Sequence, residues 1–246
     1  MENLKSEGLC IYCDKMYSST GITRHLSSHL KKEEKESPTK SKAYHLKITG
    51  YKIYFLQVLM NEKLTLDDLD SFLRSIWLEC CGHLSSFDIK KKQIRKIANE
   101  DRLALLTRMM DAYEDSIDGE DQSVPIGQIL KKGMKIDYEY DFGSTTKLEI
   151  TVMGEYQMKA PKPLFLLSRN EPLKILCTIC NKKPAEVMCR VCYDDNFCNS
   201  CKDKHVKECS DFAEYSKMEI VNSPRMGVCG YDGGRIDKER DGAWKG

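Results

Sequence analysis

Between Cys177 and Cys209 the chain places eight cysteine and histidine side chains in four regular pairs: Cys177/Cys180, Cys189/Cys192, Cys198/Cys201 and His205/Cys209. Thiolate and imidazole at these spacings suit tetrahedral zinc, because a CxxC turn brings two sulfurs onto one ion. So short a stretch cannot bury a self-sufficient apolar core. Structural zinc supplies the missing free energy, on the order of 10–16 kcal/mol per ion in small zinc peptides.

The intervals within this block run two, eight, two, five, two, three and three residues. They permit a cross-braced layout in which Cys177, Cys180, Cys198 and Cys201 hold one ion and Cys189, Cys192, His205 and Cys209 hold the other. Sequential pairing is the alternative, although the short intervals favour interleaving. The spacing resembles that of B-box-type zinc domains. His205 and Cys209 are one helical turn apart and would face one way on a short helix. Such a module either docks a protein or nucleic acid or serves only as a staple. With four protein ligands per ion and no open position, the expected zinc is structural and not catalytic.

Near the start, Cys10, Cys13, His25 and His29 repeat the chemistry at the spacing of a ββα finger, one residue short of its commonest form. Tyr17 and Ile22 fall where such fingers put their core apolar residues. Three zinc ions per chain are therefore expected. On a finger template the base-reading positions fall near Ser18, Gly21 and Arg24, and only Arg24 carries a strong donor fork. The nearby Lys31, Lys32 and Lys35 could touch phosphates, but Glu33, Glu34 and Glu36 offset them. Non-specific nucleic-acid or protein contact is favoured over sequence-specific reading.

Twelve cysteines would suggest a disulfide framework in a secreted protein. Residues 1–15 argue against export, being polar, with Glu2, Lys5 and Glu7 and no apolar run. No stretch approaches the ~20 apolar residues of a membrane span. A cytoplasmic, reducing location with metal-held thiolates is expected, and no membrane contact. The formal charge of +1, from 39 basic and 38 acidic residues, gives no global pull toward nucleic acid or anionic lipid. The oligomeric state is not legible.

The expected organisation is a finger over 1–30, a charged linker over 31–43, an α+β unit over 44–170, the two-zinc module over 171–222 and a Gly-rich tail over 223–246 with little core-forming content. In the middle unit, two strand segments or one bent strand fall around Leu46 to Met60. Thr65 caps a helix carrying Leu66, Leu69, Phe72, Leu73 and Ile76, with Gly82 as its stop. A strand is expected over 83–89, helical pieces over 94–113, an acidic loop over 115–123 and a helical turn opened by Pro125. A hairpin of 134–142 with 147–153 and a strand over 164–167 follow. Tyr138, Tyr140 and Phe142 alternate with Glu139 and Asp141 as in a half-buried strand. Strands and helices in blocks, without a βαβ rhythm, indicate an α+β class: an antiparallel sheet packed by helices, flanked by the two zinc units.

The strings LTLDDLDSFLRSIWLECCGHLSSF, YEYDFGSTTKLEI, LSRNEPLKILCTIC and NSPRMGVCGY together resemble the Ri-plasmid ORF-3-like family, whose members are also filed as transposon-passenger proteins. The resemblance covers most of residues 44–234 and is most specific at Tyr140 to Gly143 and at His83, Leu84 and Phe87. It implies an α+β domain with an antiparallel sheet, a prokaryotic origin and a link to mobile elements, but no defined activity. Many members follow the glycine with acidic residues, a Trp and a His; here those places hold Ser144, Thr145, Thr146 and Leu148.

Asp141-Phe142-Gly143 matches a kinase triplet in letters only, without the accompanying motifs. Glu139 and Asp141 could form an acid/base pair with His83, or be the solvated face of a hairpin. His83 could ligate metal with a neighbouring thiol or cap a polar pocket with Asp141, but the favoured reading is a structural, hydrogen-bonding histidine at a strand start, with Cys80 and Cys81 as small core residues; Cys229 has no partner pair and is expected to be free. The mixed charge run over 90–95 reads as a solvated end. The expected function is a non-enzymatic, zinc-stabilised binding or adaptor protein whose target is a protein or nucleic acid. The alternative is a hydrolase or nuclease-like enzyme using His83, Glu139 and Asp141.

Overall fold

Ten apolar or aromatic side chains of one hairpin are fully or nearly fully buried, yet the hairpin carries Gln57 in its middle: this strand pair, β3 (Lys42–Gly50) and β4 (Tyr54–Asn61), is the centre of the fold. In the computed structural model, the described residues are 4–39, 41–89, 123–192 and 195–246. The helical pieces expected over 94–113, the charge run over 90–95 and the acidic loop up to residue 122 lie outside them. Before the hairpin come β1 (Glu7–Leu9), β2 (Met16–Ser18) and the long helix α1 (Ser19–Glu36). After it come α2 (Leu66–Leu73), a π-helical turn (Arg74–Leu78), β5 (Ser85–Ile89), the one-turn α3 (Ile126–Ile129), β6 (Lys135–Tyr140), β7 (Thr146–Gln157) and β8 (Leu164–Arg169). The cysteine-rich block contains β9 (Val187–Cys189), β10 (Asn196–Phe197), α4 (Lys202–Glu208) and β11 (Lys217–Glu219).

Six strands form one antiparallel sheet in the order β5-β6-β7-β3-β4-β8. Side chains on a strand alternate between faces. Leu56, Val58 and Met60 of β4 pack with Leu66, Leu69, Leu73, Ile76 and Trp77 on one face. Phe55 and Leu59 point to the other face, where Ile22, Leu26 and Leu30 of α1 cover them. A sheet covered on both sides needs near-continuous apolar strands, which is why β4 reads as an unbroken run except at Gln57. Gln57 faces α1, donates to Thr23 Oγ1 (2.7 Å) and meets His45 Nε2 through its Oε1 (2.7 Å). The one polar break in the strand is therefore a hydrogen-bonded contact to the covering helix.

Helix α1 runs on through Glu36, so the first six residues of the expected linker are helical. Its docking also means that the N-terminal unit shares a core with the sheet.

Local signals hold at α2. Thr65 Oγ1 accepts from Asp68 N (3.2 Å), and Asp68 Oδ2 accepts from Thr65 N (2.9 Å), a reciprocal cap. The strand alternation of β6 fails at its end. Tyr138 and Tyr140 are buried, but Asp141 then turns inward and Phe142 is 56% exposed. Asp141 adopts φ 65°, which ends the pleat and reverses the facing of the next two side chains. Its carboxylate accepts from Gly143 N (3.0 Å) and Ser144 N (3.2 Å), closing a turn on itself.

Residues 223–246 are bound into the body largely by polar contacts, contrary to their apparent lack of core content. Fully buried Arg169 donates to Asn222 O (2.6 Å) and Asp241 Oδ1 (2.6 Å), and Ser223 Oγ donates to Trp77 O (2.6 Å). Tyr231 and Arg225 are buried as well. Gly234 passes so close to the π-helical turn that a Cβ there would collide with the Ile76 carbonyl oxygen. At this position glycine permits a close approach of backbone to backbone.

Candidate metal centres

Cys10 and Cys13 sit on the turn between β1 and β2, where Cys13 N and Asp14 N both donate to Cys10 O (3.3 and 2.9 Å). Asp14 takes φ 53° to complete the turn. His25 and His29 lie one turn apart on α1, whose N-cap is Ser18 accepting from Gly21 N (3.2 Å). His25 Nε2 is 3.2 Å from Cys13 Sγ and 3.0 Å from His29 Nε2. Tyr17 stacks on His25 (4.2 Å) and Tyr12 on His29 (4.8 Å), fixing both rings. Burial, and then the neighbouring His29, hold His25 below the usual imidazole range, in the neutral form that ligates metals. All four donor atoms fall within 4.8 Å of one another.

In the C-terminal block the first and third pairs converge, as do the second and fourth. Donor atoms of Cys177, Cys180, Cys198 and Cys201 lie within 4.8 Å of one another, and so do those of Cys189, Cys192, His205 and Cys209. The grouping is interleaved. Tight turns set each pair: Asn181 N donates to Cys177 O (2.8 Å), and Lys202 N to Cys198 O (3.1 Å). Cys209 closes α4 with its N–H on His205 O (2.8 Å), so these two donors share a helix face. Phe197 stacks on the buried His205 ring (4.4 Å) and Phe212 meets its edge (5.0 Å).

The electrostatics of each group show crowding of like charge. Backbone N–H groups of Lys183 and Lys182 hold the Cys180 thiol down at about 6, whereas its neighbour Cys201 is pushed up to about 12, first by its hydrogen bond to Cys198. Burial opposes ionisation of Cys189, but hydrogen bonds from Ser216 and His205 bring it to about 6; Cys192 rises to about 12 through its bond with Cys209. Each cluster thus ionises some sulfurs and leaves others protonated. A dication would deprotonate the rest. The donor sets fit a soft, four-coordinate metal ion.

A fourth group was not expected as a set. Cys80, Cys81 and His83 follow the π-helical turn, and Cys229 arrives from the tail. Cys81 Sγ is 3.6 Å from Cys80 Sγ, 3.4 Å from Cys229 Sγ and 3.1 Å from His83 Nε2; His83 Nε2 is 3.3 Å from Cys229 Sγ. Cys80 and Cys81 are therefore not simply small core residues, and Cys229 is not isolated. The Cys-Cys-x-His run was the legible signal. The fourth member was not, because it lies 146 residues beyond His83.

The polar trio His83, Glu139 and Asp141 does not come together. His83 Nε2 is 3.6 Å from Asp141 Oδ2, but Glu139 stays on the outer face of β6, 2.7 Å from Lys147 Nζ. Asp141 instead faces Arg225, a buried residue that the sequence did not single out. Arg225 donates to Asp141 Oδ2 (2.6 Å), Ser144 O (2.9 Å), Thr146 Oγ1 (3.1 Å) and Cys80 Sγ (3.5 Å), with its guanidinium over the Tyr140 ring. This pairing holds the Asp141 carboxyl down at about 2. Arg24, Lys31 and Lys32 are exposed along α1, while Glu33 accepts from Tyr12 Oη (3.2 Å) and Glu34 from Gln157 N (2.7 Å).

Among the described residues, no helix is long and apolar enough to cross a membrane. No curated protein matches the chain. A crystal structure of a protein of unknown function from Methanosarcina mazei Go1 is similar at 15% identity and a TM-score of 0.37, over 53% of this chain and 68% of that one. The profile of the plasmid pRiA4b ORF-3-like protein family matches residues 45–172, which span the six-stranded sheet and α2. This match takes in the Tyr-Asp-Phe-Gly and His-Leu strings and more than half of the chain, and the protein belongs to the plasmid pRiA4b ORF-3-like family.

Proposed function

We propose that this is a non-enzymatic adaptor protein stabilised by zinc, one ion in the N-terminal ββα finger and two in the cross-braced C-terminal module, and that it binds another protein or nucleic acid. The observation that carries the reading is the closure of these centres. Each gathers four protein donors within 4.8 Å, which fills a tetrahedral zinc and leaves no position for substrate. The mixed thiolate and imidazole donors favour zinc over oxygen-seeking cations. Such thiolates persist in a reducing compartment, and the cytoplasm is the natural setting. The association with mobile elements is an analogy from the family.

For the partner, Arg24, Lys31 and Lys32 offer an exposed basic strip on α1, short enough to suit non-specific contact. A hydrolase built on His83, Glu139 and Asp141 has less support, since Glu139 is engaged with Lys147 on the outer face.

The test is capture from native-host lysate on immobilised, zinc-loaded protein, with and without nuclease. A partner retained after nuclease identifies a protein target; one lost with nuclease, and released steeply by salt, identifies nucleic acid. Absence of any specific partner, together with turnover of a phosphodiester or ester substrate that H83A abolishes, would overturn the adaptor reading.

A further inference from the structure

We propose that Cys80, Cys81, His83 and Cys229 hold a fourth metal ion of the same thiolate–imidazole class, and that this ion fastens the C-terminal tail to the edge of the sheet. The inference stands on its own geometry and does not depend on what the protein binds.

The separations are those of ligands around one ion. A tetrahedral zinc with ordinary Zn–S and Zn–N bonds sets its sulfurs roughly 3.8 Å apart and sulfur from nitrogen roughly 3.5 Å apart. Here the sulfur pairs stand at 3.6 and 3.4 Å, and His83 Nε2 lies 3.1 and 3.3 Å from two of them. The expected centres serve as an internal standard: Cys192 and Cys209 are 3.7 Å apart, and Cys13 is 3.2 Å from His25. A Cys81–Cys229 disulfide would need its sulfurs at about 2.05 Å and would give neither His83 nor Cys80 a role.

The surroundings also suit a bound ion. Gly82, at φ 76°, turns the chain so that Cys81 and His83 face one point, and Cys229 takes φ 52° to present its sulfur. Fully buried Arg225 donates to Cys80 Sγ, the kind of outer hydrogen bond that steadies a ligating thiolate. The three contributing segments are the end of the π-helical turn, the entry to β5 and the tail, so a single ion would join parts of the chain nearly 150 residues apart. Cys81 is exposed, so the fourth ion would be the one nearest solvent at one of its ligands.

The experiment counts metal in the full-length protein, purified reduced, by elemental analysis of wild type, C81S and C229S, with cobalt substitution as a second readout. The expected result is four ions for wild type and one fewer in each variant. The C81S difference spectrum should show thiolate-to-cobalt charge transfer, and the tail should become cleavable by protease in C229S alone and in C81S. Cys81 is exposed, so C81S carries little risk to folding, and the difference of one ion is read whatever the total. That separates this site from failure at the other three centres. Equal metal content in wild type and C81S, or a Cys81–Cys229 disulfide in the reduced preparation, would overturn the proposal.

Discussion

Gln57 donates to the Thr23 hydroxyl over 2.7 Å in an otherwise apolar interface, joining β4, one strand in from the edge of the sheet, to the helix that carries His25 and His29. Truncating it should leave both Thr23 Oγ1 and His45 Nε2 without this partner inside the core. Q57A is expected to lose about 1–3 kcal/mol of stability, read as a lower urea midpoint at unchanged slope. It should also loosen the N-terminal centre, seen as faster loss of its metal to chelator. An unchanged midpoint would mean that α1 is held by its apolar contacts alone.

His45 gives the same interface a pH signature. Burial pushes its imidazole down to about 4, against the opposing pull of its bond to Gln57. The unfolded chain takes up a proton near pH 6.5 and the folded chain does not until about 4, so protons favour unfolding between these values. Stability should be full above pH 6.5 and should fall, by on the order of 3 kcal/mol, as pH drops toward 4. Metal held by the proposed centres would also be released in acid, so the measurement is the difference between wild type and H45Q: the variant should show the shallower decline.

Stripping metal should act unevenly. Among the described residues, the block from Cys177 to Cys209 has a small cluster of Val187 and Phe197, joined by Phe212 just beyond it, besides its own cysteines, whereas the sheet has a core on each face. A strong chelator is expected to abolish amide protection across 177–209 while β3, β4 and β7 keep theirs. Re-addition of zinc should release protons, because thiols in the unfolded block are largely protonated at neutral pH and bind the ion as thiolates. Calorimetry in buffers of differing ionisation enthalpy reads that release directly.

Arg169 is the polar anchor of the tail, fully buried and bonded to Asn222, Asp237 and Asp241. Removing one member of a buried ion pair strands the others, so R169M should cost about 3–5 kcal/mol. Thermal unfolding of the variant measures the loss, and limited proteolysis should show the tail detaching before the sheet opens.

What could be read from residue order was whatever depended on near neighbours. Thr65 and Asp68 make their cap within one helical turn, the β6–β7 hairpin closes over a short turn, and each CxxC declares itself. What escaped were relations made by distant segments. The reversal at Asp141 is completed by Arg225, 84 residues away, whose guanidinium also donates to the Ser144 carbonyl and the Thr146 hydroxyl. Tyr138 and Glu139 gave a true alternating signal, but nothing local said where it stops. Likewise the apolar run of β4 announced a strand without announcing that α1 would cover its second face.

The crossed pairing in the C-terminal block has a consequence for how the protein is made. Cys177 and Cys180 emerge from the ribosome well before Cys198 and Cys201, and Cys189 and Cys192 well before His205 and Cys209. Neither donor set is complete until the chain has passed the later pair, and the two sets then complete almost together. During that interval the early thiols form a half-built clamp, so if the sites take zinc as proposed, each ion is held by one pair until the later pair arrives.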